Sequence, residues 1–149
     1  MVKILSKRLG PIDIDETVSL QFPAGLPGFE RCTRIAIVER PSLAPLVFLQ
    51  SLDLPEVCFL AAPVAAIDPT YQLSLTLEDL DCLGLESHES AVGLLCLAIL
   101  GPSESGNFTA NLLAPVVIHR KSRRGVQAVR VDSRYSHQHP LAGEGTPCS

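Results

Sequence analysis

The 149-residue chain has no tryptophan, one methionine, two tyrosines and five phenylalanines, so the core it builds is mostly aliphatic. No apolar run approaches the roughly 20 residues that a helix needs to cross a bilayer, and Ala91 to Leu100 reads as a strand. Met1-Val2-Lys3-Ile4-Leu5 sets Lys3 inside a short apolar alternation and lacks the long h-region of a signal peptide, so a cytoplasmic protein without a membrane partner is expected. The five cysteines (Cys32, Cys58, Cys82, Cys96 and Cys148) are odd in number, widely spaced and free of any C-x-x-C pair. That pattern argues against a disulfide framework and against structural zinc.

Positive charge is missing from the middle of the chain. Between Arg40 and Arg120 there is no Lys or Arg, while nine carboxylates fall there: Asp53, Glu56, Asp68, Glu78, Asp79, Asp81, Glu86, Glu89 and Glu104. Six of the twelve basic residues crowd between Arg120 and Arg134. A negative field of this kind repels nucleic acid and favours a basic partner, unless the carboxylates simply solvate a surface. The run Arg120-Lys121-Ser122-Arg123-Arg124 reads as a solvated hairpin tip; an RNA contact there would lack stacking aromatics beside it.

What remains is a β pattern. Apolar alternations punctuated by Pro and Gly predict strands at Val2–Leu5, Val18–Phe22, Ile35–Glu39, Val47–Ser51, Val57–Ala61, Tyr71–Leu75, Val92–Leu100, Pro115–Ile118 and Val126–Val131. Arg123-Arg124-Gly125 marks a hairpin turn, with Gly125 expected at positive φ. One helix is expected after Thr76, which forms a capping pair with Asp79. Leu77, Leu80 and Leu83 would form its buried stripe, Gly84 its left-handed end, and Glu78, Asp79 and Asp81 an acidic outer face. A second short turn is expected at Ser87–Ser90. The expected architecture is mainly β: a single compact antiparallel β-barrel-like domain over residues 1–142 with one or two short helices. Residues 143–149 have nothing to bury and are expected to be a disordered tail.

The stretch Phe22-Pro23-Ala24-Gly25-Leu26-Pro27-Gly28-Phe29-Glu30 is the most distinctive on the chain. Two prolines and two glycines stiffen a double turn, and Phe22, Leu26 and Phe29 flank it. Either those apolar groups plug the end of a barrel, or they form a preformed recognition surface. Only Glu30 in the stretch carries a titratable group, so it offers shape rather than catalysis.

This segment resembles the F-P-x-G-(L/I)-P-G-F-E signature of the flagellar assembly factor FliW family. Further resemblance follows in order: Pro45 to Ser51, Leu80 to Leu85, Thr109 to Ile118 and Tyr135 to Leu141. The chain departs from the family pattern at His119, where Asn is usual, at Gln138, where a basic residue is common, and at Leu46, where Phe is usual. The resemblance implies a compact β-barrel-like fold and a protein-binding regulator with two mutually exclusive partners. One is flagellin, held in the cytoplasm before export; the other is the carbon storage regulator CsrA, a small RNA-binding dimer that represses flagellin translation. Candidate contact residues are Phe22, Leu26 and Phe29 on the turn, Glu78, Asp79, Asp81 and Glu86 on the acidic side, and Asn111 from the Thr109–Ile118 segment. A monomer is expected, since no coiled coil or long amphipathic helix appears.

Catalytic signatures are scarce. There is no G-x-S-x-G elbow, no phosphate loop and no dinucleotide fingerprint, and no cofactor is implied. His137 and His139 flank Gln138 and could share one side of an extended segment. A small metal-dependent hydrolase using them, or Cys58, is the alternative reading; a polar surface segment is the simpler one. His88, between Glu86 and Glu89, is explained equally well by a solvated turn.

Overall fold

Branched and leucine-rich alternations bounded by Pro and Gly favour strands, and the computed structural model, which describes residues 1–85, 93–103, 106–129 and 134–141, is mainly β. A hairpin of β1 (Val2–Ser6) and β2 (Gly10–Ile14) leads into a 3-10 turn at Glu16–Val18. Next come β3 (Leu20–Gln21), β4 (Arg34–Glu39), a 3-10 turn at Pro41–Leu43, β5 (Val47–Ser51) and β6 (Cys58–Pro63). Two short helices follow, α1 (Val64–Ile67) and α2 (Leu77–Leu83). The described strands that remain are β7 (Leu94–Pro102), β8 (Phe108–Ala110), β9 (Val116–His119), β10 (Arg124–Gln127) and β11 (His139–Pro140).

Pairing runs β7-β6-β5-β4-β3-β10-β9, and β9 pairs back onto β7, which closes a barrel of seven strands. Every pairing in the wall is antiparallel except β3 with β10, which meet in parallel at Gln21 and Arg124. Alternation puts Ile35, Leu49, Ala61, Leu97, Val116 and Ile118 inside, with Phe22 and Leu26 in the same cluster. The outer face of the wall is also apolar where other elements cover it. The β1–β2 hairpin covers Ala36 and Leu52 with Ile4 and Ile14, and α2 covers Val117 and Val126 with Leu83. Ala62, Ala98 and Leu100 pack with Val64 of α1, with Ala110 and Leu112, and with Tyr135. Two-sided cover explains why β7 is apolar at consecutive positions.

Several expectations change. Burial alternates along Tyr71 to Leu75, but the segment joins no strand ladder among the described residues. It is fixed instead by side chains: Tyr71 Oη donates to Leu112 O at 2.7 Å, and Tyr135 Oη accepts from Gln72 N–H at 2.9 Å. Alternation reports which face is buried, not whether a neighbour strand exists. The expected strand at Val18–Phe22 shrinks to β3, because Asp15 accepts from Thr17 N–H and caps a 3-10 turn over Glu16–Val18. The positive φ of the β9–β10 turn falls on Arg123, at 56°, and not on Gly125. Leu77 is 73% exposed and leaves the buried stripe, which rests on Leu80 and Leu83. The expected turn at Ser87–Ser90 and the tail lie outside the described residues.

Candidate protein-docking surface

The Pro/Gly segment folds back on itself. Gly25 N–H donates to Phe22 O at 2.8 Å, and Leu26 and Phe29 exchange both backbone hydrogen bonds. Gly25 has φ 68°, and a Cβ there would stand 2.4 Å from Glu30 O, so only glycine lets the two limbs of the turn approach. Phe22 and Leu26 are buried, at 0% and 1% exposure, and form part of the barrel core. Their side chains therefore plug the barrel beneath the turn, the first of the two readings, and offer no surface, so as contact candidates Phe22 and Leu26 are corrected to core residues. Phe29 is 40% exposed, its ring edge-on to Phe59 with centroids 5.7 Å apart. Glu30 Oε2 accepts from Gly28 N–H at 3.1 Å, which holds this carboxylate at the turn.

Helix α2 forms as its sequence dictates. Thr76 Oγ1 accepts from Asp79 N–H and Asp79 Oδ2 accepts from Thr76 N–H, each at 3.0 Å, a complete capping box. Gly84 ends the helix at φ 73°, ψ 28°. With Leu80 and Leu83 turned to the barrel, Glu78 and Asp81 are exposed and Asp79 is half-buried. Asp79 is thus partly committed to the helix cap.

The turn and the helix meet. A groove of about 290 Å³ runs between them, with Gly25, Pro27 and Glu30 on one wall, Glu78, Asp79 and Cys82 on the other, and Val126 and Gln127 between. Three carboxylates line it and no Lys or Arg does. Glu30 is the member that sequence reading noted only as a lone titratable group; its place beside α2 depends on a contact between residues about fifty positions apart. Within α2 the field registers on Cys82: burial first, then Asp79, Asp81 and Glu78, push its thiol upward, and Arg124 opposes them.

The acidic middle of the chain does not form one face. Asp53 binds Arg34, Glu56 lies with Lys7 and Arg8, and Asp68 is turned to Thr70. Among the described residues the ion pairs are Arg34–Glu16 and Arg34–Asp53, and neither uses the carboxylates of α2. Glu86, the remaining acidic candidate, lies outside the described residues.

Asn111 lies apart from this groove. Its Oδ1 accepts from Leu113 N–H at 3.1 Å and Ala114 N–H at 3.0 Å, shaping the entry to β9. His119 also has a structural setting: Nδ1 lies 2.8 Å from Ser122 Oγ, which in turn donates to Leu83 O at 2.9 Å. The β9–β10 turn is thereby tied to the C-terminus of α2. His137 is exposed and His139 half-buried; among the described residues no three of His, Cys, Asp and Glu group as metal ligands. Burial raises the Cys58 thiol, against the pull of Arg8, which disfavours a thiolate nucleophile there.

A closed seven-strand barrel whose turn and short helix border a groove lined by three carboxylates defines the class: a small, mainly β, barrel protein. The chain belongs to the FliW family, whose pattern ("FliW protein") matches residues 3–141. It is 32% identical over 140 residues to the flagellar assembly factor FliW of Syntrophomonas wolfei, covering 94% of this chain and 88% of that protein. It is 34% identical over 145 residues to the one from Natranaerobius thermophilus, covering 94% and 92%. A crystal structure of a flagellar assembly factor FliW superposes with a TM-score of 0.83 at 28% identity, over 94% of this chain and 96% of that one. No helix among the described residues is long and apolar enough to cross a membrane.

Proposed function

We propose that this protein is a flagellar assembly factor that acts by binding proteins in the cytoplasm, as a monomer and without catalysis. It holds flagellin before export; once flagellin has left, it binds the translational repressor CsrA and relieves repression of flagellin synthesis. Family membership supports the assembly role. The observation that carries the docking role is the groove where Glu30, Glu78 and Asp79 converge without a lining cation. Such a face attracts a basic RNA-binding protein and has no affinity for the RNA itself, and steering between opposite charges raises the association rate. Phe29 supplies the exposed apolar contact beside it.

The test is a titration of labelled CsrA with the wild type and with a Glu78→Lys, Asp81→Lys variant, which spares the capping residue Asp79. The variant is expected to bind at least about tenfold more weakly and with a flatter salt dependence. Equal affinity and equal salt slope would remove α2 from the interface. Saturating flagellin is expected to block CsrA capture; a ternary complex would overturn the exchange of partners.

A further inference from the structure

The barrel wall has an opening at one strand edge. β4 pairs with β5 from Ile35 to Glu39, but with β3 only at Arg34 and Ile35. Were the β3 register continued, Val18 would stand opposite Ile37. The chain instead leaves the wall there, as Val18 N–H donates to Asp15 O and Ser19 N–H to Glu16 O within the 3-10 turn. The orientation of the free groups follows from the alternation of a strand. Arg34 O accepts from Leu52 N–H on the β5 side, and Thr33 O accepts from Phe22 N–H on the β3 side. Ile35, Ile37 and Glu39 therefore direct their backbone groups toward β3, and beyond Ile35 no described strand meets them.

The space beside this edge is a groove of about 310 Å³, floored by Leu20, Ile37 and Val38 and bordered by Val18, which is 56% exposed. Its polar lining is Asp13, Asp15 and Glu39, all exposed, with no Lys or Arg. Lys3, across the hairpin from Asp13, and Arg123, which donates to Thr17 O, lie outside the lining. Ala36 to Glu39 spans about 13 Å at the ~3.3 Å rise of a strand, room for a short run of added backbone.

We infer that the Ala36–Glu39 edge of β4 receives an extended peptide strand of a partner protein, one whose side chains alternate between apolar and basic. Its backbone pairs with Ile37 and Glu39, its apolar side chains take the inward face of the edge with Ile37, and its Lys or Arg side chains take the outward face with Val38, beside the hairpin carboxylates Asp13 and Asp15. A second copy of this chain is a poorer occupant, because it would bring the same carboxylates against one another. This site is separate from the groove beside α2, and its test does not depend on flagellin or CsrA.

The probe is a capped heptapeptide alternating Val and Lys, added to the full chain while amide exchange is followed by NMR. Exchange at Ile37 and Glu39 is expected to slow about tenfold or more, with other open amides unchanged. An alternating Val and Glu heptapeptide is expected to leave both amides unprotected. Reversing charge with Asp13→Lys and Glu39→Lys, both at exposed positions, is expected to abolish protection by the Lys peptide while the spectrum stays folded. Three results overturn the inference: no protection at millimolar Lys peptide, as for an edge whose charges serve only to prevent aggregation; equal protection by the Glu peptide; or protection without peptide that grows with protein concentration, which would identify a second copy as the occupant.

Discussion

A Cβ added at Gly125 would stand 2.4 Å from Cζ of Phe22, so the side chain that one residue lacks is the space the other's ring fills. Phe22 is fully buried, and it begins the Pro/Gly turn. Gly125 sits in β10 one residue past the parallel contact that joins β10 to β3. The Pro/Gly turn and the barrel seam therefore share one packing contact.

Gly125→Ala is expected to destabilise the fold by about 1–3 kcal/mol, the usual cost of overpacking a filled core. The backbone at Gly125 lies outside the left-handed region, so the loss is owed to the ring and not to φ. Gly101→Ala is the control, since nothing lies within 4 Å of the added atom, and it is expected to stay within about 0.5 kcal/mol of wild type. Urea titration of both variants, of Phe22→Leu, and of Gly125→Ala combined with Phe22→Leu, checks the argument. The double variant should lose less than the sum of the single losses; strict additivity would mean the two residues do not touch.

The capping box makes a second prediction, which governs how any charge variant of α2 is interpreted. Thr76→Ala and Asp79→Ala each remove one half of the reciprocal pair and are expected to cost about 1 kcal/mol. Glu78→Gln, which touches neither capping bond, is expected to be neutral within about 0.5 kcal/mol. If Asp79→Ala melts with the wild type, Asp79 is free to serve a partner and the restriction on its use in binding tests lifts.

The parts of this molecule that were legible in its sequence are those set by local chemistry. Thr76, Asp79 and Gly84 announce the start and end of α2 within nine residues, and every partner in the cap is a near neighbour. The stiff turn is equally local. Closure of the barrel is not, because the β3–β10 and β7–β9 contacts join distant segments that carry no pairing mark. For the same reason Glu30 is missed as a companion of Glu78. Tyr71, Leu73 and Leu75 misled because burial on one face produces a period of two with or without a ladder. Gly125 misled in another way: glycine serves both positive φ and close approach, and sequence alone does not separate the two.

Asp53 gives the pH prediction. Burial raises its pKa, but hydrogen bonds from the Arg34 backbone and guanidinium, the Arg34 charge and the Thr33 N–H outweigh burial, and the carboxyl titrates below its ordinary value. A carboxyl lowered in the folded state contributes stability that is present above the unfolded value, about 4, and lost as pH falls through the folded value. Asp53→Asn is therefore expected to be less stable than wild type at neutral pH, with the gap narrowing as pH drops below about 4. Asp15 and Asp68 are lowered as well, by their Thr17 and Thr70 hydrogen bonds, but they remain in both proteins and cancel in the comparison. Urea midpoints from acid to neutral pH decide it, and a gap that stays constant through the acid range would show that the Asp53 charge contributes nothing.

Cys82 is a built-in reporter of the field in the α2 groove. Apart from burial, what raises its thiol is the negative charge of Asp79, Asp81 and Glu78, so a variant that neutralises two of them should free the thiolate. Glu78→Gln with Asp81→Asn leaves the cap intact and is expected to speed alkylation of Cys82 by iodoacetamide on the order of two- to threefold near pH 8. Cys96 serves as the internal standard, because burial alone pushes it up to about 11 and no α2 carboxylate contributes. Peptide-resolved mass spectrometry separates the two thiols, and high salt should shrink the wild-type deficit at Cys82 while leaving Cys96 slow. If both variant and salt leave the Cys82 rate where it was, the carboxylates of α2 do not act as a common field, and electrostatic capture of a basic partner at this groove loses its physical basis.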